Sequence, residues 1–101
     1  NTPDSNTVSA CELAITLLLA TSRNILPADR YLKSGKWERE IFVGNEVFHK
    51  TLGIIGLGRI GSLVATRMKA FGMDLIAYDP YISDERFRRY ECKKAETLDE
   101  L

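Results

Sequence analysis

A chain of 101 residues, 45% hydrophobic and 28% charged, has room for one small core and falls in the ordinary compositional range of globular domains. Fourteen basic and fourteen acidic residues cancel, which excludes an overall field drawing the chain to nucleic acid or to an anionic membrane. The longest uninterrupted apolar run, Leu17 to Ala20, is far too short to span a bilayer, and neither a signal peptide nor a membrane span is expected. Cys11 stands in an apolar segment and Cys92 in a charged one. They form neither a metal-ligand pair nor a disulfide framework, so buried neutral thiols in a reducing cytoplasm are expected.

Asn1 to Asn6 is polar and proline-bearing and reads as a loop. Ser9-Ala10-Cys11-Glu12 can form a capping box, although Asn6 could cap the same helix a turn earlier. Leu13, Ala14, Ile15, Leu17, Leu18, Leu19 and Ala20 then give a helix, running to about Ile25, that is apolar nearly all round. Such a helix must be covered on most sides, either as a subunit interface or as an internal core helix, since both bury the same surface. Pro27 can start a second, short helix that ends at Gly35. Lys36 to Lys50 reads as a connector with Gly44-Asn45 as a turn signal and Phe42, Val47 and Phe48 as apolar anchors. Residues 1–50 are thus a helical lead-in and connector.

Thr51 to Pro80 is the most informative stretch. The apolar run Thr51-Leu52-Gly53-Ile54-Ile55 meets Gly56-Leu57-Gly58-Arg59-Ile60-Gly61, an amphipathic segment follows to Phe71, and after Gly72 the run Leu75-Ile76-Ala77-Tyr78 ends on Asp79. Strand, glycine turn, helix, strand, acid is the order of a dinucleotide-binding βαβ unit. Gly56 suits a tight turn, Gly58 lets a pyrophosphate approach the backbone, and Gly61 lets the first helical turn lie on the sheet. Arg59 and Ile60 would offer their amides to the phosphates at the helix N-terminus. Ile60, Leu63, Val64, Met68 and Phe71 form one apolar stripe, with Gly72 at the helix C-terminus. Asp79 lies at about the ~20-residue spacing from the glycines at which a carboxylate accepts ribose hydroxyls and repels a 2′-phosphate, favouring NAD over NADP. Read alone, Asp79-Pro80 is also a plain turn opener.

Pro80-Tyr81-Ile82 would line the mouth of the nucleotide site or serve as ordinary core and turn packing. Ser83-Asp84-Glu85 begins a short charged helix whose arginines, Arg86, Arg88 and Arg89, read as a solvated face. Glu91 to Ala95 forms a weak third strand, and Thr97-x-x-Glu100 looks like the opening of another helix. His49, the one histidine, precedes the first strand at the end away from the glycine turn, where a general base could not reach a substrate. The chain begins on Asn-Thr-Pro and stops inside a helix signal, so it reads as an excerpt of a longer protein, with residues 51–101 the first half of a nucleotide domain.

Asn1-Thr2-Pro3, Ser9-Ala10-Cys11-Glu12-Leu13, Gly35-Lys36-Trp37-Glu38-Arg39, Lys50 through Gly61, Phe71-Gly72-Met73 and Tyr78-Asp79-Pro80 together resemble the D-2-hydroxyacid dehydrogenase family, over most of the chain. The glycine segment is shared with many dehydrogenases, and Gly-Lys-Trp upstream narrows the field. The resemblance implies NAD as cofactor and oxidation of a small 2-hydroxy acid, with 3-phosphoglycerate going to 3-phosphohydroxypyruvate in serine biosynthesis. It implies that the Arg59 and Ile60 amides hold the pyrophosphate, that Asp79 and Pro80 sit at the adenosine ribose, and that the helix from about Thr7 makes a dimer contact. The family's substrate-binding arginine and its glutamate–histidine pair would lie beyond anything matching Leu101, so no catalytic residue is assigned here.

The expected fold is α/β: an incomplete Rossmann-type parallel sheet, one βαβ unit plus a weak third strand, preceded by a long buried helix. The expected function is the NAD-binding part of an oxidoreductase, inactive by itself and forming homo-oligomers, domain-swapped in this shortened form. A second reading is a non-catalytic NAD-binding or oligomerisation module. A two- or three-stranded parallel sheet leaves apolar faces and edges open, which favours self-association in either case.

Overall fold

The computed structural model describes residues 3–35 and 44–101; the expectations placed on Lys36 to Arg39 and on Phe42 lie outside them. The elements are α1 (Pro3–Ser22), α2 (Ile25–Lys33), β1 (Thr51–Ile55), α3 (Arg59–Ala70), β2 (Asp74–Tyr78), α4 (Asp84–Arg89) and β3 (Lys93–Lys94), followed by a 3₁₀ turn at Leu98–Glu100. The strands lie in the order β1-β2-β3. β1 and β2 pair in parallel from Thr51↔Asp74 to Ile55↔Tyr78 with α3 as the crossover, and β2 pairs in parallel with β3 at Ile76↔Lys93 and Ala77↔Lys94 across α4. The expected open parallel α/β sheet is therefore present. β3 is shorter than the expected Glu91–Ala95 because Glu91 takes a φ of 55°, incompatible with an extended strand.

Side chains alternate across the strands. Ile54, Leu75 and Ala77 turn to one face and are buried with Ala65 and Met68 of α3, Phe87 of α4, and Leu57, Met73 and Cys92. On the opposite face Gly53 is exposed and Ile55 is 73% exposed. Among the described residues, helices thus cover one side of the sheet, and on the other the Leu101 side chain comes near Gly53. Both thiols are buried and free, as expected. Burial pushes the Cys92 thiol's pKa up against the opposing charge of Lys69.

The apolar stripe of α3 is rotated from its expected register. Buried positions are Ser62, Ala65 and Met68, whereas Ile60 and Phe71 are 44% and 45% exposed. The cause is steric: small residues let this helix approach the sheet, so the small side faces the core and the larger residues at the helix ends fall outside it. Gly72 has the expected role at the C-terminus, with φ 82° and its N–H on the Lys69 carbonyl at 2.9 Å.

The first helix starts at Pro3 rather than at the capping box over Ser9, and it ends at Ser22, before Ile25. A proline at the first helical position forfeits no helical hydrogen bond. α1 packs along α3, with Cys11 buried and Ile15 and Leu18 reaching the core. Among the described residues it is not covered on most sides, since it packs chiefly on α3 and less extensively on α2: Leu13 is 61% exposed and Leu17 is 56% exposed. α2 begins at Ile25, two residues before Pro27, after Asn24 in the left-handed region, and Gly35 follows its end at φ 87°.

Gly44-Asn45 is not a turn. Asn45 N–H donates to the Ser22 carbonyl at 2.8 Å, and a Cβ on Gly44 would lie 2.1 Å from that same oxygen, so the glycine lets the connector cross the end of α1. The turn falls later, at Phe48-His49, where Lys50 N–H donates to Val47 O. At the Thr97 signal a 3₁₀ turn opens with Thr97 at its N-cap, the Glu100 carboxylate accepting from Glu96 N–H at 2.9 Å while the Thr97 side chain makes no cap bond.

The rotated stripe is testable by chemical denaturation. Met68→Ala is expected to lower stability by about 2–5 kcal/mol, while Ile60→Ala stays within about 0.5 kcal/mol of the parent. Equal losses at the two positions would contradict the observed packing of α3.

Candidate dinucleotide site

The site begins where β1 ends. Gly56 takes a φ of 89° and its N–H donates to the Tyr78 carbonyl at 2.9 Å, carrying the β1–β2 ladder one step past the strand while the chain turns toward α3. Side-chain-bearing residues rarely adopt that φ. Gly58 stands at the N-cap of α3 with φ −84°, and a Cβ there would meet nothing within 4 Å, so the surface above its backbone is open. At Gly61 the reverse holds, because a Cβ would lie 2.1 Å from the Gly56 carbonyl oxygen and 3.4 Å from Ile54 Cγ2. The first turn of α3 therefore rests directly on the backbone of the glycine turn.

The first helical bond of α3 runs from Ser62 N–H to the Gly58 carbonyl at 2.9 Å. Among the described residues, none accepts from the amides of Gly58, Arg59, Ile60 or Gly61, and no side chain caps the helix. These amides stand at the positive end of a 12-residue helix.

Asp79 follows directly on β2. Its Oδ2 accepts from Leu57 N–H and its Oδ1 from Tyr81 N–H, both at 2.9 Å. The carboxylate is thus already fixed by two backbone donors, and the turn-opener reading of Asp79-Pro80 holds alongside its place beside the glycines. Pro80 and Tyr81 are exposed, whereas Ile82 packs against the core.

The arginines of α4 do not form a uniform solvated face. Arg88 and Arg89 are exposed, but Arg86 reaches back to the turn. Its Nε donates to the Leu57 carbonyl at 2.8 Å, and its Nη2 to Ser62 Oγ at 2.7 Å and to the Gly58 carbonyl at 3.3 Å. Ser62 Oγ also makes a hydrogen bond to the Gly58 carbonyl. The guanidinium lies 5.1 Å from the centroid of the Tyr90 ring. Sequence reasoning missed Arg86 because three arginines within four positions look alike; the one local hint is the i, i+4 spacing that stacks it on Tyr90. Ser83 occupies the N-cap of α4 as expected, though its side chain makes no cap bond.

His49 takes a φ of 64°, donates its backbone N–H to the Gly72 carbonyl at 2.9 Å and has its ring 3.8 Å from that of Phe48. It precedes β1, at the end away from the turn. Asp84 and Lys94 pair at 2.9 Å between α4 and β3, and this hydrogen bond and charge hold the carboxyl below, and the amine above, their ordinary values. Among the described residues no cluster of three or more His, Cys, Asp or Glu could hold a metal ion, and no helix is long and apolar enough to cross a membrane.

A parallel βαβ unit with an open glycine turn, unpaired amides at the start of the crossover helix and an acid closing the second strand places this chain in the class of Rossmann-type dinucleotide-binding domains. It belongs to the family described as D-isomer specific 2-hydroxyacid dehydrogenase, NAD binding domain, whose model matches residues 15–101. Its relatives include the D-3-phosphoglycerate dehydrogenases of Synechocystis sp., 50% identical over 91% of this chain and 17% of that protein, and of Archaeoglobus fulgidus, 55% identical over 92% of this chain and 18% of that protein. The chain thus spans less than a fifth of the length of these relatives. Among solved structures, the NAD-dependent formate dehydrogenase of Staphylococcus aureus in complex with NAD superposes with a TM-score of 0.80 and 37% identity, over 96% of this chain and 29% of the other.

Two of these glycines are expected to separate on substitution. Gly61→Ala, which drives a Cβ into a backbone carbonyl, should destabilise by roughly 1–3 kcal/mol, and Gly58→Ala, with open space for its Cβ and only a ψ of −147° outside the usual β region to strain it, should cost less. Urea titration of the two variants checks this.

Proposed function

We propose that this chain is the first half of the NAD-binding domain of a D-2-hydroxyacid oxidoreductase that oxidises 3-phosphoglycerate to 3-phosphohydroxypyruvate in serine biosynthesis. The observation that carries the cofactor assignment is the run of amides from Gly58 to Gly61 from which no described residue accepts, with open space above Gly58. The residues suit an anionic dinucleotide: Gly56 shapes the turn, Gly58 leaves room for the pyrophosphate, the Arg59 and Ile60 amides receive it at the helix N-terminus, and Gly61 seats that helix. Asp79 keeps lone pairs beyond its two backbone bonds for ribose hydroxyls, with Pro80 beside it. A 2′-phosphate at that carboxylate would be repelled, which favours NAD over NADP. The substrate assignment is supported by the D-3-phosphoglycerate dehydrogenases at 50–55% identity.

When bound, the nicotinamide supplies the hydride acceptor. This chain's part is to bind and orient the adenosine and pyrophosphate; none of the described residues is given acid/base work, and His49 stands before β1, at the end away from the turn. On this reading the chain alone turns over no hydroxy acid. Two buried free thiols support a reducing, cytoplasmic setting. Calorimetric titration is expected to show saturable NAD binding, weaker NADP binding, and loss of affinity in Asp79→Ala. A folded chain that binds neither nucleotide would overturn the assignment.

A homo-oligomeric state belongs to the same proposal. Leu13 and Leu17 on α1 and Ile55 on the sheet are exposed apolar side chains that contact between copies would cover, with exchange of α1 as the expected form of the assembly. Sedimentation at rising concentration is expected to show association; a compact monomer at high concentration would contradict it.

A further inference from the structure

The bonds of Arg86 to the glycine turn have a directional consequence. A trans peptide is planar, with its C=O and N–H pointing in opposite directions. The Leu57 carbonyl belongs to the same peptide as the Gly58 amide, and the Gly58 carbonyl to the same peptide as the Arg59 amide. Arg86 holds both carbonyls, and Ser62 holds the second through its N–H and its hydroxyl. With the carbonyls drawn toward α4, the Gly58 and Arg59 amides must face the other way. Asp79 fixes the preceding peptide through Leu57 N–H.

We propose that Arg86 is a positioning residue: by gripping the Leu57 and Gly58 carbonyls from behind, it aims the Gly58 and Arg59 amides at the diphosphate of the cofactor. The inference rests on reading this turn as the pyrophosphate site. Among the described residues no carboxylate forms a salt bridge with Arg86, so its charge is spent on carbonyls and a hydroxyl. Charge-assisted bonds are the stronger kind. A planar fork can span three acceptors at once; a lysine ammonium carries the same charge without that geometry.

The test uses this chain with Arg86→Met and Arg86→Lys, titrated with NAD and with adenosine, which lacks phosphates, alongside amide NMR spectra of the ligand-free proteins. Arg86→Met is expected to weaken NAD at least tenfold while changing adenosine less than twofold. Arg86→Lys should still weaken NAD at least threefold despite its retained charge. In ligand-free Arg86→Met, the Gly58 and Arg59 amide resonances should shift while those of β2 stay in place. Wild-type NAD affinity in either variant would overturn the inference and leave the NAD assignment standing. Should the parent bind no NAD, that assignment falls, and unmoved Gly58 and Arg59 amides would overturn the positioning role as well. Should Arg86→Met lose the β2 resonances, Arg86→Lys carries the decision through the same amides.

Discussion

How closely α3 can lie on the turn that precedes it governs both the packing of this domain and the site at its end. At Gly61 the helix touches the Gly56 carbonyl so tightly that no Cβ fits. That contact fixes the rotation of α3 about its axis. Ala65 and Met68 then meet the sheet, and Ile60 and Phe71 are carried to the edge of the buried surface. The same contact presents the first amides of the helix at the end of β1, where Gly58 leaves the backbone bare. One close approach therefore sets the core register and the direction of the site's donors together.

Opposite charges brace the turn from its two sides. The Asp79 carboxylate takes an N–H and the Arg86 guanidinium takes the carbonyls, so each charge meets the matching end of a peptide dipole. The two bonds to Leu57 are part-buried and differ in kind from the solvent-exposed pairs Lys33–Asp29 and Arg89–Glu85, which water screens and which contribute little. The apolar balance is less complete than the polar one. Parallel sheets are ordinarily covered on both faces, yet among the described residues helices cover only the α3 and α4 side, and α1 packs on α3 and leaves another face to solvent.

Local chemistry made much of this legible. β1 matches its expected residues, Thr51–Ile55, because β-branched and apolar residues run up to a glycine that can take positive φ. The exits of α2 and α3 were readable from Gly35 and Gly72 for the same reason. Periodicity placed α3 but not its rotation, since a hydropathy pattern weighs side chains and ignores how near a glycine lets two backbones come. Gly44 was misread similarly: it serves close approach to the end of α1 rather than a turn. For α1, composition implied cover on most sides, but cover depends on which partner surfaces the chain can fold back.

The sequence by itself determined the order strand, glycine turn, helix, strand, acid, and with it the parallel βαβ unit, because each step rests on local backbone preferences and alternation. It also named the glycines and Asp79 as the residues around one turn. Only the tertiary structure decided that Asp79 is fixed by Leu57 N–H, and that Arg86, from a different helix, closes on the same turn. Those contacts join residues more than twenty positions apart. Their partners are backbone carbonyls and amides, which every residue carries and no sequence pattern can single out.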